Sequence, residues 1–200
     1  MQHFQAIALF AFLSIITPGP NNLMIMTSSM NFGVRKSLPH FFGIIVGFPL
    51  MLLAMGLGLN AVFESLPWFH TALLVFSLLM MVYLAWRIAS FSPSTDALKP
   101  GSKPLSFVNA VLFQWVNPKA WLMATAAVAL FPASSNTPWL DVLAVTLIMA
   151  SVGLLCVGLW LVLGARLRTF INSPARLKWF NGTMAASLVL FFAYSTLQAV

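Results

Sequence analysis

Lys119 is a formal charge set well inside an otherwise apolar run, and the residues just before it, Gln114-Trp115-Val116-Asn117-Pro118, are themselves unusual for such a run. A second polar interruption, Thr17-Pro18-Gly19-Pro20-Asn21-Asn22, lies about a hundred residues earlier in another apolar stretch. An ammonium, the side-chain amides of Asn21, Asn22, Gln114 and Asn117, and backbone carbonyls released by proline make a set suited to non-covalent capture of a small zwitterion. Lys119 would take its carboxylate, while Asn21, Asn22, Gln114 and the freed carbonyls would meet its ammonium. Bond-breaking chemistry finds less support. Hydrolysis inside a membrane calls for a Ser–His, paired-Asp or His–Glu metal arrangement, and the nearest approximation is Ser37 with His40. The three histidines, His3, His40 and His70, share no ligand spacing with a carboxylate or a cysteine, so no metal site is expected. No cofactor-binding motif is present either.

Both interruptions should break helices. Pro18 and Pro20 remove two backbone donors and clash with the preceding turn, and Gly19 between them is conformationally permissive. Asn117 suits an N-cap and Pro118 the first helical position, so a new half-helix should start there. The half-helices following Asn22 and Asn117 would then turn positive N-terminal ends toward a bound anion. Two proline kinks that serve only packing are the plain alternative, as is a Lys119 side chain that merely reaches for the interface.

The chain that positions these residues is made for lipid. It is 60% hydrophobic and 6% charged, against a charged share of about 25% in soluble domains. Charge-free runs cover Met1 to Val34, Ser37 to Phe63, Ser65 to Trp86, Ala120 to Leu140, Val142 to Ala165 and Trp179 to Val200. Each is near or above the ~20 residues a membrane helix needs. The runs are continuous, without the ~10-residue alternation of a barrel. An all-α membrane protein with six transmembrane helices follows, with spans over roughly 4–29, 38–62, 68–90, 106–131, 139–164 and 177–199. The first run lacks a positive leader and a small-x-small cleavage site, so it reads as a mature span.

Nine of the ten basic residues fall in the connections after spans one, three and five. By the positive-inside rule those connections are cytoplasmic and both termini lie outside. A net charge of +7 distributed in this way gives no basic face for nucleic acid. Trp68, Trp86, Trp139, Trp179 and Tyr83 fall near the predicted interfaces, as an aromatic belt requires. Glu64 and Asp141 fall toward the outer ends of their spans, and the single cysteine, Cys156, is read as packing.

The Ser-, Pro- and Lys-rich stretch 91–105 divides the single transporter domain, residues 1–200, into repeat 1 (about 1–90) and repeat 2 (about 106–200). Three spans per half require the second half to enter the bilayer in the opposite sense, giving two inverted three-helix repeats. Each repeat then opens with its interrupted span. About 13 residues precede the first break and 11 the second. At ~1.5 Å per residue the breaks lie roughly 16–20 Å from opposite faces and meet near the middle of a core ~30 Å thick. A lysine there costs ~2.5–3.5 kcal/mol even on the lenient insertion scale, an expense that points to function.

The run Ile16 to Asn22, the Phe32-Gly33-Val34-Arg35 turn with Gly43 and Gly47, Tyr83-Leu84-Ala85-Trp86 and Asn117-Pro118-Lys119 together resemble the LysE/RhtB amino-acid exporters, over the full chain. The asparagine pair after Pro20 looks most like the branch that exports cysteine and O-acetylserine. The resemblance implies efflux of a small amino acid or derivative across a bacterial inner membrane. Where family members often carry Asp after the second proline, Asn21 supplies no carboxylate. Without a nucleotide-binding loop, export must draw on an ion gradient or exchange, and protons are the expected coupling ion. A channel or ion exporter on a related fold is the alternative. The Gly43-x-x-x-Gly47 pattern allows close helix approach, either within a protomer or across a homodimer.

Overall fold

The computed structural model describes residues 2–59, 67–90, 103–131, 137–170 and 173–198. Most of the expected linker, and the connections around Glu64 and Pro132, lie outside the described residues. Every regular element among the described residues is helical: α1 (Gln2–Ile16), α2 (Pro20–Phe32), α3 (Val34–Ala54) with a wide turn over Met55–Leu59, α4 (Pro67–Ala89), α5 (Phe107–Phe113) with a tight turn over Gln114–Val116, α6 (Pro118–Leu130), α7 (Pro138–Phe170) and α8 (Pro174–Gln198).

Local sequence sets these limits. α1 stops at Ile16 because Pro18 can neither donate nor leave Thr17 free to stay helical. α2 starts with Pro20 in its first turn and stops where Gly33 adopts φ 82°, a value other residues avoid. α1 and α2 are bent 56° apart, so together they form one broken apolar rod. α3 with its wide turn and α7 are each long and apolar enough to cross a membrane; the α1–α2 pair would be a third such crossing, and α5 and α6 are shorter apolar helices. With the wide turn counted into α3, the observed helices begin or end up to six residues from the expected span edges, since charge-free length does not mark where a cap falls: α7 runs on to Phe170, past Arg166.

Apolar side chains cover the outside as well as the core, and several polar ones are buried. Leu13, Leu79, Leu155, Leu159 and Leu190 are exposed, while Asn22, Ser29, His40, Gln114, Asn117, Thr146 and Asn181 are buried. Such a surface is stable only against lipid or other apolar matter. α7 is the central post, with α1, α2 and α3 packed along it. Ile7, Ala11 and Ile15, one stripe of α1, join Met149, Cys156 and Val157 of α7 and Phe48 and Met51 of α3 in the main core. A smaller core ties Leu23 and Met26 of α2 to Met81 and Ala85 of α4 and Ala185 of α8.

Gly43 and Gly47 face α5: a Cβ on Gly43 would lie 2.5 Å from the Phe107 carbonyl oxygen, and one on Gly47 2.8 Å from Val111 Cα. This small-residue face therefore packs within the protomer. Trp68, Trp86, Trp139 and Trp179 are all exposed, as belt residues would be.

Candidate functional site

The two breaks lie against each other. Lys119 Nζ crosses from the start of α6 to the end of α1, where it donates to the Thr17 carbonyl oxygen at 2.7 Å, to Thr17 Oγ1 at 2.8 Å and to the Pro18 carbonyl oxygen at 3.4 Å. Proline explains why these carbonyls accept a side chain: the bonds that helix continuation would have supplied are missing. The ammonium thus sits at the negative, C-terminal end of α1, an arrangement the helix dipole favours. This refines the expectation that Lys119 joins only the positive ends of half-helices. The amine reaches the other break, where Thr17 and Pro18 are exposed.

Gly19 makes this crossing possible, though for a different reason from the one expected. Its backbone is extended (φ −176°, ψ 176°) and within reach of any residue. What matters is space: an added Cβ would stand 2.6 Å from Lys119 Cδ and 3.0 Å from its Nζ.

The four polar residues assigned to solute capture have additional tasks. Asn21 and Gln114 exchange side-chain hydrogen bonds, Asn21 Nδ2 donating to Gln114 Oε1 at 2.8 Å and Gln114 Nε2 donating to Asn21 Oδ1 at 3.2 Å. Gln114 Nε2 also donates to the Ala110 carbonyl at 2.9 Å, so this fully buried side chain clamps the breaks together from behind. Asn22 Nδ2 donates to the carbonyls of Ile15 (2.6 Å) and Thr17 (2.9 Å), capping α1 across the break. Asn117 Oδ1 accepts from the Lys119 backbone N–H at 3.1 Å, the N-cap that its sequence position implied, with Pro118 in the first turn. The other half-helix differs from expectation. It opens at Pro20, ahead of Asn21 and Asn22, because proline fits the first turn; its cap residue Gly19 provides no side-chain bond.

Three participants escaped sequence reasoning. Thr17 supplies two of the three oxygens on Lys119, and the only hint was a hydroxyl beside an orphaned carbonyl. Trp160 Nε1, on α7, donates to the Ile16 carbonyl at 3.1 Å. Trp121 Nε1 donates to the Trp115 carbonyl at 2.8 Å. Each break therefore has one indole N–H closing one of its loose carbonyls, and nothing in the spacing announces the first.

Beside the breaks lies a partly open cavity whose atom-free space, open solvent included, is about 500 Å³. Gly19, Asn21, Asn22, Asn117 and Lys119 form its polar pole; Ile44, Phe48, Met123, Met149 and Val157 are among its apolar walls. Gln114 does not line it. A second, partly open apolar cavity is lined by Leu52, Gly56, Ala127, Phe131, Val142 and Val145. It lies one to two turns farther along the faces of α3, α6 and α7 that wall the first. Among the described residues no group of histidine, cysteine or carboxylate side chains is placed to hold a metal ion.

The family model for the LysE type translocator matches residues 12–198. The cysteine/O-acetylserine efflux protein of Klebsiella pneumoniae subsp. pneumoniae is 29% identical over 192 residues, covering 94% of each chain. The proteins of the same name from Escherichia coli and Shigella flexneri serotype 5b are each 30% identical over 153 residues, 72% of this chain and 73% of theirs. No solved structure gives a significant match. A match spanning both helix breaks and nearly the whole chain settles the assignment: the chain belongs to the LysE type translocator family and is a transporter, not an enzyme.

Proposed function

We propose that this protein exports a small amino acid or amino-acid derivative across the bacterial inner membrane, by proton-coupled alternating access around the cavity between the two breaks. The observation that carries the reading is the Lys119 amine at the wall of that cavity, held by oxygens of the opposite break. The solute's carboxylate would exchange with those oxygens for Lys119, and would meet the N-terminus of α2, whose first-turn N–H groups no side chain caps. Its ammonium would take the released carbonyls of Thr17 and Pro18. The apolar walls leave room for a small side chain. Cysteine and O-acetylserine, named for the relatives, are the first solutes to try.

A six-span arrangement of inverted repeats, joined by a linker over 91–105, fits the order of the elements: α1–α2, α3 and α4, then α5–α6, α7 and α8. In each half a broken rod is followed by two long helices. With both termini outside, the end of α2 lies on the cytoplasmic side. There Gly164 of α7 sits so tightly on the Met26 carbonyl and Ser29 Oγ that no Cβ would fit. Toward the other side the second cavity continues the walls of the first. A tight seam on one side and a loose one on the other is the asymmetry that rocking of one repeat against the other would reverse.

The test is uptake of labelled O-acetylserine into everted membrane vesicles carrying the wild type or Lys119→Ala. Uptake by the wild type that collapses in the variant at equal protein level supports the reading. Equal uptake by both sinks the assigned role of Lys119.

A further inference from the structure

His40 is 1% exposed on α3. Its Nδ1 lies 3.0 Å from Ser28 Oγ on α2, a buried hydroxyl. Its Nε2 is buried and has no hydrogen-bond partner. A neutral imidazole has one donor and one acceptor nitrogen, whereas the protonated ring has two donors. Ser28 can serve Nδ1 in either state, since a hydroxyl both donates and accepts. Nε2 is then the atom at which a proton can be gained or lost without breaking the bond that holds the ring.

Elimination leads to the same atom. Where side chains are described, the ionisable groups that are not exposed are Lys119, His40, Cys156 and Asp141, the last in the first turn of α7. The Lys119 amine is engaged by three oxygens of break one. Cys156 could act only by becoming an anion among apolar side chains, a costly state. The elements packed on α3 present few charges to His40. α2 and α5 contain none, α6 contributes Lys119, and α7 contributes Asp141 and Cys156 along its length and Arg166, exposed, and Arg168 near its end. Arg35 and Lys36 on α3 itself are exposed.

Resting on the coupled-exporter reading above, we infer that His40 Nε2, in a ring positioned by Ser28, is the binding site of the coupling proton. The helices make the link mechanical. α2 carries Asn21 and Asn22 at the cavity and Ser28 at the imidazole, and on α3 Ile44 of the cavity wall follows His40 by one turn. Movement of α2 along α3 therefore changes the solute site and the surroundings of Nε2 together. One proton bound as the solute departs and released as the next one loads balances the cycle, with no redox step.

The experiment uses full-length protein in everted vesicles with labelled O-acetylserine, read in two modes: uptake driven by an imposed pH gradient, and exchange at equal pH with solute on both sides. His40→Gln is expected to lose the gradient stimulation by about tenfold or more while exchange stays within about twofold. Ser28→Ala is expected to shift the pH profile of driven uptake. Stimulation in His40→Gln equal to wild type overturns the inference alone. Wild-type uptake that ignores the gradient overturns the coupled-exporter reading as well. If His40→Gln loses both modes, an unshifted Ser28→Ala profile overturns the inference and a shifted one supports it.

Discussion

The break after α1 and the break before α6 each interrupt an apolar rod, yet they are held together in different ways. Break two is closed from nearby: Asn117 caps its own helix, Trp121 reaches back six residues to Trp115, and the Gln114 amide reaches Ala110. Break one has two local side-chain donors, Asn22 and the Thr17 hydroxyl on the Ser14 carbonyl, and depends besides on residues 102 and 144 positions away, Lys119 and Trp160. Break two is a rigid corner that presents a cation. Break one is an acceptor-rich hinge whose shape depends on what that cation is doing. A solute that competes for the ammonium would therefore loosen one break and leave the other intact.

The largest effect should come from removing the cation. Lys119→Ala is expected to lower export more than about a hundredfold, since a charge-assisted contact of about 3 kcal/mol disappears from the bound state. Lys119→Met should do the same while leaving thermal stability in detergent undiminished, because an intramembrane charge is itself costly. A variant that exports normally, or one that fails only by unfolding, would erase the contrast between the breaks. Lys119→Arg should also impair export, as a planar fork does not replace a compact ammonium among three oxygens. Gly19→Ala comes next. The backbone there tolerates alanine, so an expected loss of about tenfold would report displacement of the Lys119 stem alone, provided the variant inserts and melts like wild type.

What the sequence made legible follows the same contrast. Pro18, Pro20 and Pro118 act on their own turns, and Asn117 caps a helix two residues away, so both breaks and the limits of α6 could be read locally. The all-helical, lipid-facing character was equally plain from the run lengths. The bond from Trp160 to Ile16 could not be read, because an indole in an apolar run looks like any packing residue until folding places it 144 positions upstream. Gln114 was recognised as special and assigned to the solute, while its bonds to Asn21 and Ala110 could not be read. Polar residues in an apolar helix announce that a partner exists; spacing alone does not say whether the partner is a ligand or another break.

The two tryptophans sharpen the comparison by direct substitution. Trp160→Phe removes the N–H that serves break one and leaves a partly buried carbonyl short of a donor, which costs about 1 kcal/mol. Because that carbonyl belongs to the hinge, export should fall several-fold with a lowered melting temperature. Trp121→Phe should lower the melting temperature to a similar degree with a smaller change in export, since its corner does not have to move. Equal export defects in the two variants would mean that both breaks flex.

The smallest expected effect concerns the clamp between the breaks. Asn21→Ala and Gln114→Ala each delete half of a reciprocal amide pair, and hydrogen bonds between membrane helices couple by about 0.6 kcal/mol on average and reach about 1.7. A double-mutant cycle on melting should return a coupling in that range, because both bonds vanish with either substitution. The export rates separate the two residues further. Asn21 lines the cavity and Gln114 does not, so Asn21→Ala should raise the solute concentration needed for half-maximal export, and Gln114→Ala should lower only the maximal rate. If Gln114→Ala instead weakens solute affinity as much as Asn21→Ala, the pair acts as one unit in binding, and break two is less rigid than its local bonds imply.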